Sequence, residues 1–195
     1  MSNSSAISID SFIRDIRLEI EAEEPSILWI YDVYAAEARF GWLWLQEELA
    51  KLQLTDKVMD VGAGIYLLAC YLKLKGYQTT ALEPVGQGFG HFTKLQKLIL
   101  TYARKHDFAP VILPLMAEEI NETNHYDLVY SINVMEHVRN AETVLQSIMQ
   151  AVKPQGCYRF ACPNYSFPFE PHFCIPIIIN KRITYHFFRD KINKA

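Results

Sequence analysis

Between residues 57 and 162, short apolar runs alternate with helix-patterned segments, and few folds accept that alternation. Residues 57–61, 78–82, 111–113, 126–131 and 158–162 read as strands. The segments between them carry apolar residues at helical spacing: Ile65, Leu68, Ala69 and Leu72; then Phe92, Leu95, Ile99 and Tyr102; then Ala141, Val144, Leu145, Ile148, Met149 and Val152. Gly76 stops the first of these, a turn with Gly86, Gly88 and Gly90 opens the second, and Lys153-Pro154-Gln155-Gly156 ends the third. The order predicts an α/β, doubly wound and mostly parallel sheet.

Upstream, Ile9, Ile13, Ile16 and Ile20 predict an amphipathic helix over residues 8–22, broken at Glu23-Glu24-Pro25. A longer helix is expected from about Ser26, as its cap, toward Ala50, with Ile27, Ile30, Tyr31, Tyr34, Ala38, Leu45 and Leu49 on one face. Its aromatic content (Trp29, Trp42, Trp44) suits either a helix packed on the domain or a lid over an apolar substrate. Residues 1–50 thus read as a helical cap and 51–195 as the α/β domain.

Charge and cysteine usage exclude several classes. Net charge is −3, from 19 Lys+Arg against 22 Asp+Glu with no basic run, which argues against a general nucleic-acid binder. Four cysteines, at 70, 157, 162 and 174, form no Cys-x-x-Cys pair, so neither metal nor disulfide is expected. The polar start has no apolar signal core, and Asp32, Glu37 and Arg39 interrupt the most membrane-like stretch, 26–46. The expectation is a soluble, cytoplasmic protein with no membrane span.

In a doubly wound sheet the ligand lies beyond the C-terminal strand ends. There the first strand ends in Asp60-Val-Gly-Ala-Gly64 and the second in Glu83-Pro84. Two glycines allow a tight turn and a close approach to a ligand, and a carboxylate at 83 can accept hydrogen bonds from two ribose hydroxyls. Gly62 and Gly64 could also make only a strand-to-helix turn, but Asp60 and Glu83 in register favour a nucleoside site. The dinucleotide signature fails, because Leu67 stands where its third glycine belongs. A nicotinamide oxidoreductase is disfavoured accordingly.

With Ala81-Leu-Glu-Pro84, Ala117-Glu118-Glu119, Tyr126-Asp-Leu-Val-Tyr-Ser131, Glu136-His137-Val138 and Val152-Lys-Pro-Gln-Gly156 in the same order, the sequence resembles the class I S-adenosylmethionine-dependent methyltransferases over about residues 57–165. Its flavour is that of the small-molecule, quinone-biosynthesis O-methyltransferases. The resemblance implies the Rossmann-like methyltransferase fold and S-adenosylmethionine as cofactor. It implies that Asp60, Gly62, Ala63 and Gly64 hold the methionine end and Glu83 the ribose. Ala117 and Glu118 would follow the adenine edge, and Ser131, Ile132 and Asn133 would pass the methionyl part and the substrate entrance. The chain departs from the pattern at Met116, where an acidic residue is usual, and at Tyr66, where a third glycine is usual. Tyr66 is expected either to crowd the loop or to reach over the cofactor.

Other roles stay open on the residues alone. Glu118 and Glu119 equally suit a solvated helix start. Glu136 and His137 precede a helix, so a capping role competes with substrate binding by Glu136 and base catalysis by His137. The Pro- and aromatic-rich loop 162–176 could wall a substrate, with Glu170 as a binding group and His172 as a second catalytic candidate. The family pattern continues with a helix and two edge strands, for which the remaining 33 residues are too few. That leaves a shortened chain, an exposed fifth strand and a homodimer as expectations, with a catalytically inactive cofactor-binding or interaction module as the alternative to methyl transfer to a small, partly apolar molecule.

Overall fold

The structure is a computed structural model and describes residues 7–84, 90–163, 169–170, 175–176 and 181–192. Two compact units divide the chain, residues 1–161 and residues 162–195.

The first unit is built on five parallel strands, β1 (Lys57–Val61), β2 (Gln78–Leu82), β3 (Val111–Leu113), β4 (Tyr126–Ile132) and β5 (Val152–Ala161), in the order β3-β2-β1-β4-β5. The order reverses between β1 and β4, which places the topological switch point there. All five expected strands form. β5 begins earlier than the sequence suggested: Tyr126 pairs with Val152, Leu128 pairs with Cys157, and a register shift absorbs the residues between. Gly156 is needed at that irregularity, since a Cβ there would lie 2.9 Å from the carbonyl oxygens of both Tyr126 and Asp127.

Strand alternation divides the interior into two cores. Val58, Leu128 and Tyr130 face one core, which they share with α1 (Ile9–Glu23), α2 (Leu28–Trp44), α4 (Leu67–Leu74) and α5 (Gly90–Lys105). Met59, Val61 and Val129 face the other, beneath α6 (Ala141–Ala151) and a 3-10 turn at Ala117–Glu119. Fully buried Ile13, Ile16 and Ile20 of α1 belong to the first core, so the N-terminal helices are part of the same hydrophobic interior as the sheet.

The N-terminal helix pattern needs correction in detail. The expected single helix is a 3-10 turn (Pro25–Ile27), then α2, then the short α3 (Gln46–Leu49). Ser26 does not cap it; its hydroxyl donates to Glu24, and the N-cap position is Ile27. Ile65 precedes α4 rather than belonging to it, although it is buried. The expected turn at Gly86 and Gly88 lies outside the described residues, and α5 begins at Gly90.

Neither Glu136 nor His137 caps α6. Asn140 does: its side-chain oxygen accepts from the backbone N–H of Glu142 at 3.0 Å and of Thr143 at 3.2 Å. The carbonyl of an Asx side chain satisfies two amides that have no partner within the helix. Asn140→Ala is expected to cost about 1 kcal/mol of stability, read from urea denaturation, with little effect on ligand binding.

The second unit contains the antiparallel pair β6 (Phe169–Glu170) and β7 (Ile175–Pro176), and α7 (Lys181–Ile192). No described helix is long and apolar enough to cross a membrane.

Candidate functional site

β1 and β4 are register partners, and Asp60 lies opposite Tyr130. Their side chains therefore leave the sheet on the same face, beneath α2. Asp60 is 5% exposed and Tyr130 fully buried. Burial raises the Asp60 pKa to about 8, the neighbouring Glu37 and Glu83 push it the same way, and the Tyr130 hydroxyl beside it offsets part of the rise.

Beyond Asp60 the chain turns through Gly62 (φ 71°) and Gly64 (φ 55°), both in the left-handed region. Gly62 has a second constraint. A Cβ there would lie 2.3 Å from Val134 Cγ2, because the segment after β4 crosses the segment after β1. Tyr66 also has a left-handed backbone, φ 67°, at the position where the family pattern usually has glycine. The residue is 4% exposed and packs in the core of α1, α2, α4 and α5, with its hydroxyl within electrostatic reach of Glu83.

Glu83 closes the turn from the end of β2. Its Oε2 accepts the Gly64 N–H at 3.0 Å, while the Gln96 amide donates to the Gly64 carbonyl at 2.8 Å. Burial raises the Glu83 pKa to about 7, and the Gly64 hydrogen bond pulls it partly back.

The roof over these strand ends comes from α2. Tyr34, Glu37, Ala38 and Gly41 recur at i, i+3, i+4 and i+7, one stripe of a helix. Gly41 permits the close approach: a Cβ there would meet Ile132 Cδ1 and Leu68 Cδ2 at 2.5 Å each. Tyr34 reaches Gly64, where a Cβ would stand 3.5 Å from its ring, and packs against Phe92 at 5.7 Å between centroids. Glu37 accepts a hydrogen bond from Asn133 Nδ2 at 2.6 Å. Desolvation raises its pKa, the Asn133 bond opposes the rise, and Glu136 adds to it. A cavity of about 30 Å³ remains among Glu37, Asp60, Gly62, Tyr130 and Ile132, with Tyr34 at its edge.

The structure therefore brings Asp60, Gly62, Ala63, Gly64, Glu83, Ile132 and Asn133 together around one end of the sheet. Ser131 is adjacent in sequence but fully buried, its hydroxyl 2.9 Å from Tyr158 on β5. Ala117 is buried and Glu118 half-buried beside the other core. Glu119 performs the helix-start role, accepting the Met116 N–H at 2.7 Å. Glu136 has both carboxylate oxygens buried with no hydrogen-bond partner among the described residues. His137 is exposed, its N–H bonded to the Val134 carbonyl in a turn. Of Glu170 only the backbone is described, and His172 lies outside the described residues. No group of three metal-ligating side chains occurs among the described residues.

Tyr34, Glu37 and Gly41 are the site residues that strand-end reasoning missed. Glu37 stands on the buried side of an apolar helix, and that misplacement in the pattern was the available signal.

A family described as a methyltransferase domain matches residues 35–186. An uncharacterized protein of Mycobacterium tuberculosis is 39% identical over 184 residues, 94% of this chain and 62% of that protein. The chain thus spans less than two thirds of the length of that relative. The ubiquinone biosynthesis O-methyltransferase of Rickettsia typhi is 30% identical over 109 residues, 56% of this chain and 40% of its own length. Among solved structures, the 1,6-didemethyltoxoflavin-N1-methyltransferase of Burkholderia thailandensis, with bound S-adenosylhomocysteine, superposes with a TM-score of 0.50 at 17% identity, covering 76% of this chain and 60% of that one. That likeness concerns the fold. With the family match covering residues 35–186 and the strand order and glycine turn at the switch point, the chain belongs to the methyltransferase-domain family.

Proposed function

We propose that this protein transfers a methyl group from S-adenosylmethionine to a small, partly apolar acceptor. The observation that carries the reading is the closed turn at the switch point, where the Gly64 amide is held by Glu83 under a helix whose Tyr34 covers Gly64.

The residues present fit the cofactor. It is cationic at sulfur and at its amino group; Asp60 lines the cavity, and Glu83 stands at the adjoining Gly64 turn. Every ion pair among the described residues joins other side chains, so no described Lys, Arg or His is ion-paired with either acid. Asp60 and the turn 62–64 would receive the methionine end, Glu83 the ribose hydroxyls, and Ala117 and Glu118 would flank the adenine. The bound cofactor supplies an electrophilic methyl group, which leaves the protein mainly the task of alignment. Holding two reactants in line can contribute about 7–11 kcal/mol in favourable cases. The N-terminal 50 residues act in this reading as a cap whose α2 excludes water from the transfer point. Tyr34, Phe92 and Ile132 favour an acceptor with apolar surface.

Calorimetric titration with S-adenosylmethionine tests the reading. Wild-type protein is expected to bind at micromolar concentration. Glu83→Ala is expected to weaken binding about ten- to a hundredfold, the magnitude of a lost charge-assisted hydrogen bond. A folded wild-type protein that ignores the cofactor would overturn the proposal.

A further inference from the structure

Glu83 stands at the end of β2, while Glu37, Asn133 and Glu136 gather at the end of β4, on the opposite side of the switch point. If the nucleoside lies toward Glu83, the reacting end points toward the β4 group. This rests on the function proposed above.

That group is unusual in its charge. Glu37 has Asn133 as its hydrogen-bond donor and Glu136 as a neighbouring acid. Both Glu136 oxygens are buried without a hydrogen-bond partner among the described residues. Asp60, nine-tenths buried, lines the same cavity, with the neutral Tyr130 hydroxyl and the acids Glu37 and Glu83 as neighbours. None of the three is ion-paired with a described Lys, Arg or His. Desolvating like charges together is unfavourable unless a cation arrives or a proton is taken up.

We infer that Glu37, positioned by Asn133 and reinforced by Glu136, makes the transfer point a cation site and selects an amine as methyl acceptor. The amine arrives as an ammonium ion against the Glu37 carboxylate. Glu37 takes one of its protons and exposes the nitrogen lone pair. The nitrogen–carbon bond forms as the carbon–sulfur bond breaks, and that bond's electron pair stays on sulfur. The products are an N-methylammonium ion and a neutral thioether, and Glu37 returns its proton to solvent.

Two cofactor analogues test this without a known acceptor. Sinefungin carries a protonated amine at the position of the methylsulfonium group, whereas S-adenosylhomocysteine is uncharged there. Calorimetry with the full chain is expected to show wild-type protein preferring sinefungin by about ten- to a hundredfold, as a charge-assisted hydrogen bond would give. In Glu37→Gln, which keeps an oxygen for Asn133, that preference is expected to fall about tenfold or more while S-adenosylhomocysteine affinity stays within about twofold. Glu136→Gln is expected to lower the preference by a smaller factor. An unchanged preference in Glu37→Gln would overturn the inference and leave the methyltransferase reading standing. Equal weakening of both analogues would also overturn it, by assigning Glu37 to the amino-acid end or to the fold. Failure of wild-type protein to bind either analogue would overturn the function proposed above and this inference with it.

Discussion

Replacing Asp60 with Asn is expected to make the ligand-free protein more stable at pH 8 and to remove most of its affinity for S-adenosylmethionine. The opposite signs share one cause. Asp60 is a buried carboxyl whose pKa is raised to about 8, against about 3.9 in an unfolded chain. A raised folded-state pKa means that the native protein holds the proton where the unfolded chain has released it. The group's contribution is therefore fully present below pH 4 and is lost as pH rises toward 8. Glu83, raised to about 7, acts in the same direction. An amide at position 60 does not ionise and escapes this loss. Thermal denaturation at pH 8 is expected to place Asp60→Asn about 5 °C above wild type, with the gap closing near pH 4.5. In calorimetry the same variant is expected to bind the cofactor about tenfold or more weakly, because it loses a charge-assisted contact. A variant less stable than wild type at both pH values would show that the carboxyl is structural.

Gly62→Ala is expected to be the most disruptive single methyl in the site. The backbone there has φ 71°, where a Cβ costs about 1–2 kcal/mol. The added carbon would also lie 2.3 Å from Val134 Cγ2, and overpacking of that kind costs about 1–3 kcal/mol more. Urea denaturation should therefore show a loss of about 2–5 kcal/mol. Two comparisons separate the contributions. Gly64→Ala shares the left-handed backbone, φ 55°, but its Cβ would make ordinary contact with Tyr34 at 3.5 Å, so it should lose only the backbone part. The double variant Gly62→Ala, Val134→Ala should recover part of the steric loss. Equal losses for the two glycine variants would show that the crossing at Val134 yields at no cost.

The site also explains why the pocket tolerates charge that a stable core would avoid. Asp60, Glu37 and Glu83 lie close enough to raise one another or to be raised together by burial, and no described cation offsets them. On the function proposed above, such an arrangement weakens the empty protein and would strengthen the hold on a positively charged ligand. Binding at about pH 7 should accordingly release protons from Asp60 and Glu83, a quantity that calorimetry in buffers of different ionisation enthalpy reads directly.

Local pattern determined the strands and their parallel arrangement. The runs at 57–61, 78–82 and 111–113 have the strand bounds that form, because each is short, is followed by a helix-patterned or turn segment, and helices must cross between parallel neighbours. The glycine turn was equally legible, since a left-handed backbone after a strand demands that residue type at Gly62 and Gly64. Glu83 could be located by counting from the turn, because β1 and β2 pair in a fixed register.

Tertiary structure decided what no local pattern encodes. Tyr66 combines a glycine-like backbone with a buried side chain, and that burial is a property of the packed molecule. Asn140, rather than Glu136 or His137, caps α6, since the cap depends on where the helix begins and the turn before it ends. Glu37 and Tyr34 reach the site only because Gly41 lets α2 press against Leu68 and Ile132. Their distance in sequence from the strand ends is large, and only three-dimensional closure brings a helix stripe over the switch point. The sequence by itself thus determined where a ligand could sit, through periodicity and backbone chemistry. Packing across long separations decided which side chains line that place and what charge they bring to it.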